Sequence, residues 1–343
     1  MSDHASIARY IRFVDAPDPA SLGATVHEFL AWLGGPTLIR IPGRDGSRVR
    51  GVSTLLHGNE QSGIVAAHQL LRSGEQPAVD MLYFFGSVEA AMEPPGFANR
   101  MLPGRLDLNR CFFPPFKGRE GRIAQELLFL LRECEALVDV HNNSGKNPAY
   151  GIVTRLDPEH IGLVSLFAPQ CIFSDLSLGS LTEATEGLFT SVTIECGRAG
   201  DPAADDVAFA GLKRYTESAS LAAVAQGPVA IYECPIRVCL ADGIHVVFSE
   251  QPSHSHDLTL SPDLEQHNFE QLPAGTHIGY VLDGAPWPFE VRAADGEDCS
   301  RDYFEVVDSE LRLKADVVPT MMTCDARLAA ADCLCYLVQS KQS

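Results

Sequence analysis

Through the first two thirds of the chain, short apolar or β-branched runs alternate with longer stretches in which apolar residues recur every three or four positions. Residues 36–41, 49–56, 79–85, 137–140, 150–154, 170–173 and 191–194 are of the first kind and predict strands. Residues 24–33, 64–72, 123–134, 159–167 and a long stretch after Pro202 are of the second kind and predict amphipathic helices. Strands alternating with helices imply an α/β domain, here a mostly parallel mixed sheet flanked by helices over roughly 230 residues. After Gln226-Gly227-Pro228 the texture changes to simple alternation in 229–238, 244–248, 277–282 and 303–307, broken by Gly, Pro and Asp turns. That pattern predicts a smaller C-terminal β domain, dividing the chain into 1–228 and 229–343.

Composition narrows the class. Of 343 residues 45% are apolar, enough for a real core, yet no uninterrupted apolar run of about eighteen appears. The start, MSDHASIARYIRFVDAPD, lacks the basic-then-apolar pattern of an export signal, so a soluble cytoplasmic protein is expected. Lys and Arg total 26 against 45 Asp and Glu, a formal charge of -19 that repels phosphate backbones and anionic lipid. Neither nucleic acid nor a membrane is an expected partner. The ten cysteines form no small-domain framework and read as mostly buried thiols. Cys333-x-Cys335 and Cys234-x4-Cys239 lack the two-residue spacing of common zinc knuckles.

The segment Thr54-Leu-Leu-His-Gly-Asn-Glu-Gln-Ser-Gly63 runs from an apolar strand through a Gly-punctuated turn into a helix. Ligand-binding groups in open α/β sheets gather at the carboxyl ends of strands, where His57 and Glu60 fall. A second strand, Leu137-Val-Asp-Val-His141, also ends in a histidine. Together they supply His, Glu and His, the ligand set of an open catalytic zinc site with its fourth position left for water. Asp139, two residues before His141, is placed to hold the second nitrogen of that imidazole. A third strand, Ser191-Val-Thr-Ile-Glu195, ends in a carboxylate, which is costly there unless paired or poised to exchange a proton. Glu195 is therefore the candidate general base. Gly104-Arg-Leu-Asp-Leu-Asn-Arg110 gathers Arg105, Asn109 and Arg110 in one loop, suited to gripping a carboxylate or polarising a carbonyl.

These pieces, HGNE, DLNR, DVHN and TIECG in this order, resemble the succinylglutamate desuccinylase and aspartoacylase family, a branch of the zinc carboxypeptidase fold. The resemblance covers about residues 50 to 200 and is specific as a set. It implies one zinc per chain on His57, Glu60 and His141, with Glu195 as the catalytic glutamate. Asn109 and Arg110 match the pair that binds the substrate's carboxylate, and the carbonyl-polarising Arg is Arg100 or Arg105. Two departures stand out. The family's further Arg, about ten residues before the catalytic Glu, has no counterpart, since no Arg lies between Arg155 and Glu195, which argues against an acidic acyl group. The family's late substrate-binding Tyr has no secure match among Tyr280, Tyr303 and Tyr336.

Other features have ordinary readings. His68 falls within a helix and reads as packed; His254, His256, His267 and His277 read as polar loop residues without an acid or cysteine to complete a metal geometry. No G-x-S-x-G and no G-x-G-x-x-G occurs. The expectation is a zinc-dependent amidohydrolase acting on a small N-acyl amino acid or related amide. The alternatives are a metallocarboxypeptidase trimming peptides and a binding or regulatory protein with a degraded site. A homo-oligomer is compatible with the sequence.

Overall fold

The computed structural model describes residues 9–175, 177–221, 227–291, 298–331 and 333–340. The chain divides into two compact units, one of Met1–Asn142 with Ala149–Ala230, the other of Asn143–Pro148 with Ile231–Ser343. The N-terminal residues 1–8, Gln226 and the Cys234 side chain, all read above, lie outside what is described.

The first unit is built from β1 (Arg12–Asp15), α1 (Val26–Leu33), β2 (Thr37–Ile41), β3 (Asp45–Thr54), α2 (Ser62–Ser73), β4 (Val79–Phe85) and α3 (Val88–Met92). Then come α4 (Gly118–Leu131), β5 (Ala136–Asn143), β6 (Tyr150–Val153), α5 (Pro158–Ser165), β7 (Gln170–Phe173), α6 (Leu181–Thr185), β8 (Thr190–Arg198) and α7 (Pro202–Glu217). Its strands lie in the order β1-β2-β4-β3-β5-β8-β6-β7. Pairing is parallel for β1–β2, β3–β4, β3–β5 and β6–β7, antiparallel for β2–β4 and β6–β8.

The strand β4 shows why the sequence reads as it does. Met81, Tyr83 and Phe85 enter one core with Phe29, Val52 and Ile64, while Leu82 and Phe84 enter the core on the opposite face with Leu38, Ile123 and Leu127. A strand covered by helices on both faces is apolar at nearly every position. The exception, Asp80, is buried but accepts from Arg40 Nη2 at 2.5 Å and from the Gly43 N–H at 2.8 Å. Helices begin where a side chain can satisfy their first N–H groups: Thr25 and Glu28 form a capping box on α1, and Asp157 and Asp201 precede the prolines that open α5 and α7. His68 packs in the core, stacked on Phe29 at 4.7 Å with Nε2 3.2 Å from the Gly23 carbonyl.

Two strands run further than their apolar stretches. The predicted 137–140 continues as β5 to Asn143, and 191–194 continues as β8 to Arg198, so His141 and Glu195 lie within strands rather than just past them. Polar residues there pair with neighbouring elements, which a pattern of apolar positions cannot register.

The second unit holds β9 (Ala230–Leu240), β10 (Val246–Phe248), β11 (Leu258–Leu260), β12 (His277–Val281) and β13 (Phe289–Val291). After these follow α8 (Ser300–Tyr303), β14 (Phe304–Val307), β15 (Glu310–Leu313), β16 (Val318–Thr320), α9 (Ala326–Ala331) and β17 (Cys335–Ser340). One sheet has the order β10-β11-β12-β15-β14, and β9 pairs with both β17 and β13. Their inward residues, among them Val238, Leu260, Phe289, Phe304 and Leu311, form a separate core. Four histidines of this unit go to separate partners: His245 to Asp257, His256 to Ser253, His267 to Glu270 and His277 to the Tyr280 ring. No helix among the described residues is long and apolar enough to cross a membrane.

Candidate active site

The parallel neighbours β3 and β5 place Thr54 opposite Val140, so the chain leaving β3 and the end of β5 share one edge of the sheet. The turn between β3 and α2 is tight. A Cβ on Gly58 would stand 2.6 Å from Ala90 Cβ and 2.7 Å from the Asn99 carbonyl oxygen, which explains the glycine of HGNE. The turn brings His57 and Glu60 back over the end of β5, where His141 stands.

All three side chains are buried. Glu60 Oε1 lies 2.7 Å from His57 Nδ1 and Glu60 Oε2 2.6 Å from His141 Nδ1. Donor atoms of the three all lie within 4.8 Å of one another, and among the described residues this is the group of His, Cys, Asp and Glu that could hold a metal ion. Each imidazole is held at its other nitrogen by a carboxylate: His141 Nε2 by Asp139 Oδ2 at 2.8 Å, His57 Nε2 by Asp107 Oδ1 at 3.1 Å. Such outer carboxylates fix ring orientation and leave Nδ1 as the ligating atom, so the donor set fits zinc.

Charge agrees with geometry. Burial works against ionisation of Glu60, but the His57 and His141 charges outweigh it and hold its carboxyl well below the usual range. Burial likewise opposes charging of His141 and His57, yet Asp139 and Glu60 raise the first, and Glu60 with the Asp107 hydrogen bond raises the second.

The structure separates the two candidate arginines. Arg100 donates through Nε and Nη2 to Asp107 Oδ2 at 3.0 and 2.9 Å, and its Nη1 comes within 4.0 Å of Glu60 Oε1. Arg105 instead pairs with Glu120 at 3.6 Å and is not brought into the cluster. Asn109 is buried, its Oδ1 accepting from the Leu181 N–H at 3.0 Å, so it ties the DLNR loop to α6. Arg110 is exposed and donates to the Asn109 carbonyl at 2.8 Å. Its charge, after those of His57 and Arg100, helps lower Asp107 against burial.

Glu195 lies in β8 and is half-buried. Burial, reinforced by the Glu60 charge, pushes it up to about 7 even though His141, His57 and Arg100 all favour its ionised form. A carboxyl so placed beside the three candidate ligands can exchange a proton near neutral pH.

A buried polar network fixes these positions. Asn142, next to His141, accepts from the Ser62 N–H at 2.9 Å and donates to Ser62 Oγ at 2.9 Å and to the Gly197 carbonyl at 3.2 Å. Ser62 Oγ donates in turn to Asp205 Oδ1 of α7 at 2.6 Å. Gln61, the residue before α2, makes no side-chain cap, so the cap comes from β5. Ser62, Asn142 and Gly197 each lie within two residues of Glu60, His141 and Glu195. Sequence reasoning missed this network and the role of Asp107. The D of DLNR was the available signal, but its meeting with His57 depends on a loop returning across fifty residues.

No family model matches the chain, and no curated protein matches it. Solved structures do. A succinylglutamate desuccinylase/aspartoacylase from Rhodobacter sphaeroides is 16% identical, with a TM-score of 0.57 over 89% of this chain and 88% of that one. The product-bound ectoine utilization protein EutE (DoeB) from Ruegeria pomeroyi is 17% identical, with a TM-score of 0.58 over 88% of each. Murine aminoacylase 3 is 17% identical, with a TM-score of 0.55 over 87% of this chain and 97% of that one. The chain therefore has the fold of the succinylglutamate desuccinylase/aspartoacylase structures, a mixed α/β sheet flanked by helices with a second, smaller sheet.

Proposed function

We propose that the chain is a zinc-dependent amidohydrolase of the succinylglutamate desuccinylase/aspartoacylase family that removes the acyl group from a small N-acyl amino acid or related amide. The observation that carries this reading is Glu60 bridging the Nδ1 atoms of His57 and His141, with Glu195 on β8, the strand next to β5, within reach of the charges of all three. The order of the four motifs and the shared fold support it.

Zinc, when held by His57, Glu60 and His141, acidifies water and polarises the scissile carbonyl. Glu195 takes the proton of the attacking water and delivers it to the departing amine, so that one carboxyl serves first as base and then as acid. Arg100, anchored on Asp107, brings a guanidinium to the edge of the cluster and stabilises the oxyanion that develops on the carbonyl oxygen. Arg110, exposed at the same loop, anchors the substrate's carboxylate, with the Asn109 amide beside it. The small substrate is the partner of this site, and the setting is cytoplasmic.

The test is a screen of the zinc-loaded protein against acetyl, succinyl and formyl amino acids alongside short peptides with free carboxyl termini. Hydrolysis of N-acyl amino acids that stops with a chelator and returns with zinc is expected. Preference for peptides would move the assignment to a metallocarboxypeptidase. Zinc binding without turnover of any substrate would mark a binding protein.

A further inference from the structure

The helix α2 begins two residues after Glu60 and ends, roughly 18 Å away along its axis, at a cavity of about 600 Å³ in the same unit. The volume is in the range that encloses a small organic molecule. Pro17, Pro19, Pro42 and Pro77 form part of its wall, together with Leu22 and Leu71. Prolines contribute no N–H and hold a fixed φ, so this wall is apolar and preformed. At the rim, Arg44 donates to the Gln76 carbonyl at 2.8 Å and to the Glu217 carbonyl at 3.5 Å, and Gln76 donates to the Gly43 carbonyl at 3.1 Å.

The floor holds the informative group. Tyr83 lies in the middle of β4, flanked in register by Ile39 of β2 and Val52 of β3, so only its side chain can reach the cavity it lines. The residue is 4% exposed, and its hydroxyl makes no hydrogen bond with the described residues. Thr216, which also lines the cavity, already donates to the Lys213 carbonyl at 3.0 Å. The hydroxyl is not one of the fully buried polar atoms without a partner, so it keeps contact with the open space of the cavity, where water accepts its proton until a ligand acceptor takes that place. Burial raises its pKa, so it stays a donor at neutral pH.

We propose that this cavity is a second small-molecule site, which takes an uncharged, mainly apolar compound of about one or two rings bearing a carbonyl that accepts from the Tyr83 hydroxyl. An uncharged ligand follows from the rim, where Arg44 stands with Glu75 and Glu217 and the second of these carboxylates is paired with Lys213 at 3.6 Å, so the charges nearly balance and neither sign is selected. The site is separate from the metal cluster and does not depend on the hydrolase reading.

Acetophenone is the probe, with ethylbenzene as its counterpart lacking the acceptor, and binding is followed by chemical-shift perturbation in a titration. Saturable acetophenone binding is expected, weakened about fivefold by Tyr83→Phe, which removes one hydrogen bond and keeps the ring. Ethylbenzene should bind both forms equally. Ser73→Trp, at an exposed position on the mouth, should abolish binding of both probes, whereas Ser73→Ala, which loses the same hydroxyl bonds to the Leu70 carbonyl and the Glu75 N–H without adding bulk, should keep it and show the same small drop in melting temperature. No saturation by acetophenone up to its solubility would overturn the proposal. So would binding that survives Ser73→Trp, and an unchanged affinity in Tyr83→Phe would overturn the carbonyl-bearing ligand class.

Discussion

Asn142 and Ser62 hold each other twice, the Asn142 carbonyl oxygen accepting from the Ser62 backbone N–H and its amide donating back to Ser62 Oγ, both at 2.9 Å. Because Asn142 also reaches the Gly197 carbonyl, the chain segments carrying Glu60, His141 and Glu195 are tied through one side chain. Asn142→Leu keeps the bulk and leaves the first N–H of α2 and the Gly197 carbonyl without partners. It should cost about 1–3 kcal/mol of stability and weaken zinc binding as well. Urea denaturation and a zinc titration on the same preparation check this. A loss of stability with unchanged zinc affinity would make the network a fold device alone.

Asp107 faces two ways, toward His57 Nε2 with one oxygen and Arg100 with the other. Asp107→Asn removes the charge that orients the imidazole, and outer carboxylates of this kind contribute about tenfold to a hundredfold to metal affinity. Competition with a chelator should place Asp107→Asn and Asp139→Asn in that range below wild type. Full affinity in Asp107→Asn, with turnover lost, would mean that Asp107 serves Arg100 rather than the metal.

How much of this was legible can be traced residue by residue. His57, Glu60 and His141 could be read because strands that end in polar ligands interrupt an apolar pattern, and the structure brings both histidines within hydrogen-bond reach of Glu60. Asp139 could be read from the alternation of a strand, which puts it on the same face as His141. Arg100 and Arg105 could not be told apart. Both lie in one irregular loop, and their different partners, Asp107 and Glu120, depend on how that loop folds. In the second unit the strands Leu258–Leu260, Phe289–Val291 and Val318–Thr320 are too short to show a period, and Glu310–Leu313 and Cys335–Ser340 also went unread.

The division between the arginines makes a paired prediction. Removing a positioned oxyanion donor typically costs about a hundredfold to a thousandfold in kcat, so Arg100→Ala should fall in that range. Arg105→Ala loses a partly exposed ion pair with Glu120, whose contribution is small, and should keep near-normal turnover. Steady-state kinetics on both variants decide, and the reverse ranking would return the role to Arg105.

The last prediction concerns Glu195, and it separates proton transfer from metal holding. Glu195→Gln keeps size and shape but removes the proton-accepting oxygen, so zinc content and KM should stay close to wild type while kcat falls about a hundredfold to ten-thousandfold. Its titration adds a second readout. A base acts in its deprotonated form, so activity should rise with pH through the Glu195 pKa and level off above it. In the metal-free protein that pKa is pushed up to about 7 by burial and the Glu60 charge. A zinc dication nearby favours the carboxylate and draws the value down, so the acidic limb of kcat/KM should lie below neutrality. The residual activity of Glu195→Gln should lack that limb, leaving only the fall caused by protonation of the metal ligands. A purely structural Glu195 predicts the opposite pattern: a lowered melting temperature, near-normal kcat in the folded fraction and an unchanged acidic limb. Kinetics across pH, with zinc analysis and a thermal melt on the same preparations, distinguish the two.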